Sequence, residues 1–451
     1  MKTDNYPESL LNLSQMCKDC YAIPQKAFEN SNVKRGLRNA DGSGVVAGVT
    51  NLGLVHGYVL YEGEKRPDEG KLFYRGYDVE KLVEGYVKEN RYGFEECAFL
   101  LIFGFLPTAE QLDTFNKLTN SYAFLPDNFT EDIIMRAPSA NIMNKMQSSV
   151  LSLYSYDSNP EDMSIDNQLR QSIQLIARLP IIAAHAYSVK RHSFDDDSLL
   201  LHRPKEGLST AQNFMRILGQ DVSFNEEEAR LLDICLVLHA EHGGGNNSTF
   251  ACRVVSSTKS DIYSAVSAAI GSLKGPRHGG ANMKVEEMFT EIKENVSDWN
   301  DDDEIYNYLK MILEKKAGDG SGLIYGMGHA IYTQSDPRAV VLKKNALSLA
   351  EKKGYMNEFN LLQKIEVITP KVFSDVTGYD KVMCANVDMY SGLIYRMLGI
   401  PSDLYTPLFA TARVAGWCAH RIEEILTGGK IMRPAYKTPY NIKQYIPITE
   451  R

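Results

Sequence analysis

Residues 225–246 read NEEEARLLDICLVLHAEHGGGN, and the middle of that stretch decides the fold. Its C-terminal half, up to Leu238, is almost entirely apolar, and a helix apolar on every side is a buried one. Asn225 is placed to cap it, with Glu228 three residues on. Outward from this helix the same period recurs. Residues 260–274 repeat apolar positions at Ile262, Val266, Ala269, Ile270 and Leu273 and stop at Gly275-Pro276. Residues 283–292 and 406–426 follow suit. Strand signal is confined to the first 75 or so residues, where 44–50 and 54–61 are expected to form small hairpins. The polar stretches 154–166, 190–197 and 297–304 read as surface loops or helix entries. The chain is predicted to be all-α.

The chain has 451 residues, 49 basic and 57 acidic, for a formal net charge of −8. With 44% hydrophobic residues it can bury a large core. The acidic balance argues against a protein that tracks a nucleic-acid backbone, and no apolar run approaches the ~20 residues of a membrane helix. Seven scattered cysteines read as reduced thiols rather than a disulfide framework. Only Cys17 and Cys20 have ligand spacing, with no second pair near them to complete a zinc site. The first residues, with Asp4, Glu8 and no arginine before Arg35, lack a secretory or mitochondrial pattern, so a cytoplasmic protein is expected.

Three histidines lie in Gly-rich segments: His239-Ala-Glu-His242-Gly-Gly-Gly, Gly-Pro-Arg-His278-Gly-Gly, and Gly-Met-Gly-His329-Ala. Glycine beside a histidine lets backbone approach a ligand closely. A single histidine at a helix end is usually a cap or a satisfied core residue, but three such segments in one chain are harder to dismiss. His239 and His242 do not match the His-Glu-x-x-His zinc pattern, and the 318–322 Gly-x-Gly-x-Gly run lacks a preceding strand and dinucleotide spacing. No metal or dinucleotide is expected. Further on stand Asp388, before a helical stretch, then Arg413 and Arg433. Arg413 is flanked by Ala410, Ala412, Ala415 and Gly416, which offer its charge no partner. It must reach solvent, an ordinary salt bridge, or an anion from elsewhere.

Taken in order, HAEHGGGNNSTF, GSLKGPRHGGAN, GMGHAIYTQSDPRA, NVDMYSG, ARVAGW and IMRP resemble the all-helical citrate synthase family, over roughly residues 35–435. The upstream segments 72–77 (LFYRGY) and 100–107 (LLIFGFLP) look similar to the family too. The resemblance implies condensation of acetyl-CoA with oxaloacetate and hydrolysis of citryl-CoA to citrate and CoA. It implies His278 as the donor to the thioester carbonyl, Asp388 as the base that takes the methyl proton, and His329 as the group polarising the oxaloacetate ketone. His242, Arg338, Arg413 and Arg433 match the oxaloacetate ligands. The set suits the reaction, because a thioester methyl is a very weak acid and needs base and enolate donor together. Arginine's planar fork suits carboxylates. Acetyl-CoA is a substrate, and no cofactor is implied.

By the same resemblance, a large helical domain (1–279 and 391–451) holds an inserted small helical domain (280–390), with the active site in the cleft between them. A homodimer is implied in which Arg433 acts in trans, on a tail whose prolines forbid a helix. Many relatives carry a basic residue for CoA phosphate where this chain has Thr333 and Gln334, so Lys381 becomes the candidate contact. Residues 120–165 match none of the motifs and read as surface elaboration. Two alternatives stay open: 2-methylcitrate synthase, using propionyl-CoA, and a non-catalytic relative of the same fold.

Overall fold

The computed structural model describes residues 7–21, 23–29, 31–39, 42–62, 64–219 and 223–451. Residues 1–6, part of the N-terminus read above for a leader, and the side chain of Cys20, one half of the Cys17–Cys20 pair, lie outside them. Two compact units divide the chain: residues 1–46 with 432–451, and residues 47–431.

In the first unit, helices Glu8–Cys20 and Gln25–Glu29 and a single turn at Arg35–Leu37 are joined by the C-terminal tail. Pro434, Pro439 and Pro447 remove backbone donors, and the tail stays extended until a last turn at Ile448–Glu450. Nearly all of it is exposed, Arg433 included. Of the expected hairpin at 44–50, only Gly44 joins a bridge, to Arg38. Two glycines in seven residues leave that stretch little side chain to pack as a strand.

The second unit is built around helix Tyr405–Leu426, which packs against helices Phe94–Phe103, Ile165–Phe194, Glu226–His239, Asn247–Ser256 and Ile262–Leu273. Its Ala410, Val414 and Trp417 have no exposed surface. Burying a large apolar side chain contributes about 1.5–3 kcal/mol, so a helix covered on every face is held by its neighbours rather than by propensity. Glu226–His239 is buried from Leu231 onward, as its apolar run requires, and Asn225 Oδ1 accepts the N–H groups of Glu227 and Glu228. The periodic stretches at 260–274, 283–292 and 406–426 form helices Ile262–Leu273, Ala281–Asn295 and Tyr405–Leu426.

The strand signal at 54–61 belongs to a long hairpin, Gly53–Tyr61 with Glu64–Tyr74, extended by the short strand Tyr77–Asp78. Two expectations are corrected. Residues 190–194 continue helix Ile165–Phe194 instead of forming a loop. Residues 120–165 are not surface elaboration alone: Phe129, Ile134, Met146 and Val150 have no exposed surface, and helix Ile142–Ser152 packs on Ile165–Phe194 and Ile262–Leu273, while most of 155–165 is exposed. That segment carries packing rather than chemistry, which is why no motif marks it.

Between 281 and 397, helix Asp302–Leu313 packs on Met356–Thr377, while Ala281–Asn295 and Pro337–Lys353 pack on Val387–Met397. Among the described residues no helix is long and apolar enough to cross a membrane.

Candidate active site

The site grows from the C-terminal end of the buried helix Glu226–His239. There the chain turns out through Glu241 and His242 into Gly243, whose φ of +83° favours glycine. Helix Tyr405–Leu426 crosses this turn so closely that a Cβ on Gly416 would lie 2.4 Å from the Ala240 carbonyl and 2.6 Å from Glu241 Oε2. The glycine of ARVAGW therefore sets the approach that brings Arg413 to the turn. Arg413 Nε donates to the His239 carbonyl at 2.6 Å, and its guanidinium lies over the Phe409 ring. Its two terminal nitrogens are buried with no hydrogen-bond partner. Burial, opposed by the nearby Glu241 carboxylate, lowers its pKa to about 10, so it is still a cation at neutral pH. Of the three outcomes open from sequence, solvent and an ordinary salt bridge are both absent for this side chain. Such a cation calls for an anion.

Glycines also shape the second wall. Gly326 and Gly328 have φ near +80°, and their segment pairs with 384–386: Gly328 N–H donates to the Cys384 carbonyl and Asn386 N–H to the Gly326 carbonyl. Asn386 Nδ2 adds a bond to the Gly328 carbonyl, while its Oδ1 caps helix Val387–Met397 by accepting from Asp388 N–H. This pairing ties the His329 segment to the start of the Asp388 helix. His329 Nδ1 accepts the N–H groups of Ile331 and Tyr332, which leaves Nε2 as the ring nitrogen that donates. Its ring lies 5.2 Å from that of His242. Asp336 caps helix Pro337–Lys353 and holds Arg338 through both Nε and a terminal nitrogen.

His278 comes from the turn after helix Ile262–Leu273, where a Cβ on Gly279 would lie 2.6 Å from the Leu273 carbonyl. Its Nε2 is 3.0 Å from Ser248 Oγ. Burial, aided by the Arg413 charge, lowers its pKa to about 4. His242 is held well below the ordinary histidine value by burial and by the charges of Arg338 and Arg413 beside it. Both rings are neutral near pH 7. Asp388 moves the other way: burial raises its pKa to about 6 against the pull of Arg338. A buried carboxylate with a pKa of about 6 is equipped to move a proton from carbon.

Six sequence candidates are thus assembled in this unit: His242, His278, His329, Arg338, Asp388 and Arg413. Lys381 is exposed, on the rim of a surface depression of about 420 Å³ lined also by Pro370, Lys371 and Asp375. Arg433 belongs to the other compact unit. Among the described residues no group of three or more His, Cys, Asp or Glu side chains is spaced to hold a metal ion.

Sequence reasoning missed Tyr332, whose hydroxyl is 3.2 Å from His242 Nε2 and whose ring stacks on His329. It also missed the buried pair Glu241–His420. Arg253 donates to His420 Nδ1, so His420 carries its proton on Nε2 and donates to Glu241 Oε1, which also accepts the Gly243 N–H. An aromatic and a histidine inside otherwise small, Gly-rich segments were the available signals.

Residues 41–435 match the family model described as citrate synthase, C-terminal domain. This chain belongs to the citrate synthase family. Citrate synthases are acyltransferase-type enzymes. The chain is 33% identical to the citrate synthase of Haloferax volcanii, over 94% of this chain and all of that one. It is 32% identical to 2-methylcitrate synthase 1 of Corynebacterium glutamicum, with the same coverage. Among solved structures, citrate synthase from Thermoplasma acidophilum, in a ternary complex with carboxymethyl coenzyme A and oxaloacetate, matches with a TM-score of 0.74 and 26% identity, over 93% of this chain and 99% of that one.

Proposed function

We propose that this chain condenses acetyl-CoA with oxaloacetate and hydrolyses the resulting thioester to citrate and CoA. The observation that carries the reading is Arg413, a fully buried cation with two unpartnered nitrogens beside Arg338 and two neutral histidines. A dicarboxylate supplies the missing charge and acceptors. Asp388 takes a proton from the acetyl methyl carbon while His278 donates a hydrogen bond to the thioester oxygen. The enolate carbon then attacks the ketone carbon of oxaloacetate, whose oxygen accepts from His329 Nε2–H. Water adds to the thioester carbon of citryl-CoA, the C–S bond breaks, and CoA leaves as the thiol. Proton abstraction, hydrogen-bond donation and carboxylate binding are all within reach of side chains, so the reading includes no metal or redox cofactor.

The reading includes a small domain, residues 280–390, that closes over the substrates and excludes water. His278 and Asp388 lie next to its two crossings. It further includes a homodimer in which Arg433, on the exposed tail, reaches the oxaloacetate of the neighbouring subunit, and Lys381 as a contact for CoA phosphate. A cytoplasmic location is supported by the six free cysteines among the described residues, five of them buried.

The second reading, 2-methylcitrate synthesis from propionyl-CoA, is favoured by the near-equal likeness to a relative of that name. One methylene changes pocket contacts by only ~1–3 kcal/mol. Thiol release with oxaloacetate and either acyl-CoA separates the readings: faster turnover of acetyl-CoA supports the first, faster turnover of propionyl-CoA the second. No release with either refutes both and leaves a non-catalytic relative.

A further inference from the structure

We propose that Tyr332 is a positioning residue of the oxaloacetate pocket: its hydroxyl fixes the proton of His242 on Nδ1, and its ring holds the plane of His329. The proposal rests on the functional reading above only in assigning oxaloacetate to this pocket. Tyr332 is 2% exposed, and its hydroxyl faces His242 Nε2 at 3.2 Å. Burial keeps the phenol protonated, far above its ordinary pKa. A buried O–H needs an acceptor, and here His242 Nε2 is the one in reach. The neutral His242 ring then carries its single proton on Nδ1.

The same residue governs the neighbouring histidine twice. Its backbone N–H donates to His329 Nδ1, leaving the His329 proton on Nε2, and its ring stacks on His329 at 4.6 Å and 30°. The two imidazoles therefore each have a defined donor nitrogen, which suits a substrate whose ketone and carboxylate oxygens only accept. With the phenol gone, His242 is free to take the other tautomer and turn a lone pair where a donor is needed.

Tyr332 is in turn fixed from behind by the hairpin Gly53–Tyr74. A Cβ on Gly57 would lie 2.7 Å from Tyr332 Cα, and one on Gly70 would lie 2.9 Å from Tyr332 Cδ1 and 1.9 Å from the Ser335 carbonyl. Thr333 Oγ1 donates to the Gly57 carbonyl, and Gly70 N–H donates to Ser335 Oγ. Thr333 is thus a backbone clamp between the hairpin and the His329 segment. The two glycines let the hairpin lie flat against residues 331–335 and set the ring's position.

The test uses the full-length protein labelled with ¹⁵N-histidine, its His242 signals assigned by their loss in His242→Asn, alongside Tyr332→Phe. In the parent, His242 Nε2 is expected at an unprotonated shift and Nδ1 at a protonated one. Tyr332→Phe should disturb that pattern, raise KM for oxaloacetate about 10- to 100-fold, and change kcat by less than about fivefold, since the ring over His329 remains. A protonated His242 Nε2 in the parent overturns the proposal, as does a Tyr332→Phe enzyme with unchanged KM and unchanged shifts. The nitrogen shifts require no turnover. An inactive parent with unprotonated Nε2 therefore refutes the functional reading and supports the tautomer assignment, while an active parent with protonated Nε2 does the reverse.

Discussion

Replacing Asp388 by Asn removes the proposed base and, with it, a charge that the fold disfavours. In the native protein the Asp388 carboxyl titrates near pH 6, about two pH units above its ordinary value of 3.8, because burial outweighs the attraction of Arg338. The native state thus binds this proton more tightly than the unfolded chain. The group's cost is absent below about pH 4, grows as pH rises through 6, and is complete above it. At about 1.4 kcal/mol per pH unit, the cost approaches ~3 kcal/mol at pH 8. Asn is neutral and close in size, so Asp388→Asn should be more stable than the parent at pH 8, with the difference vanishing near pH 4. Turnover should fall by ~10²–10⁴. Thermal unfolding of both proteins across this pH range, with kcat measured at pH 8, tests both halves. A variant less stable than the parent at pH 8, or one turning over within tenfold of it, refutes the reasoning.

Because Asp388 must be ionised to accept a proton, kcat/KM for the acyl-CoA should fall about tenfold per pH unit below pH 6, and a profile flat down to pH 4.5 would exclude it as the base. Arg413→Met removes a buried cation with two unpartnered nitrogens, so the variant should fold at least as well as the parent while losing ~2–5 kcal/mol of oxaloacetate binding, read by calorimetry. Gly416→Ala places a methyl against the Ala240 carbonyl and should cost ~1–3 kcal/mol of stability, read by chemical denaturation, and lower activity through displacement of Arg413. Mixed dimers of Asp388→Asn and Arg433→Ala subunits should regain activity where each parent homodimer is nearly dead, as one intact site forms if Arg433 acts in trans; mixtures that stay inactive place Arg433 within its own chain or outside the site.

The helices were legible where hydrophobic period and stop signals agreed, as in Glu226–His239 with its Asn225 cap and in Tyr405–Leu426. The segment around Arg413 was legible as a difficulty, a charge among alanines, but which of three outcomes held depended on helix crossings far apart in sequence. Gly416 reads as one more small residue until the helix is laid across Ala240. Residues 120–165 were misread because packing residues such as Met146 and Val150 carry no chemical signature. His242, His278 and His329 stood out through glycine-rich segments, which record close backbone approach, while Arg338, Asp388 and Arg413 took their place beside them through the family resemblance. Tyr332 escaped because its role depends on His242, ninety residues away in sequence. The raised pKa of Asp388 is likewise a product of what surrounds it.

The account stands on carbon–carbon bond formation at this site. Acetyl-CoA carrying ¹³C in the methyl group, incubated with oxaloacetate and the enzyme and followed by ¹³C NMR, tests it most directly. The label should move into one methylene of citrate, with CoA released in equal amount and neither product forming when oxaloacetate is omitted. Labelled acetate with no citrate would mean that the site only hydrolyses the thioester, and would contradict the account.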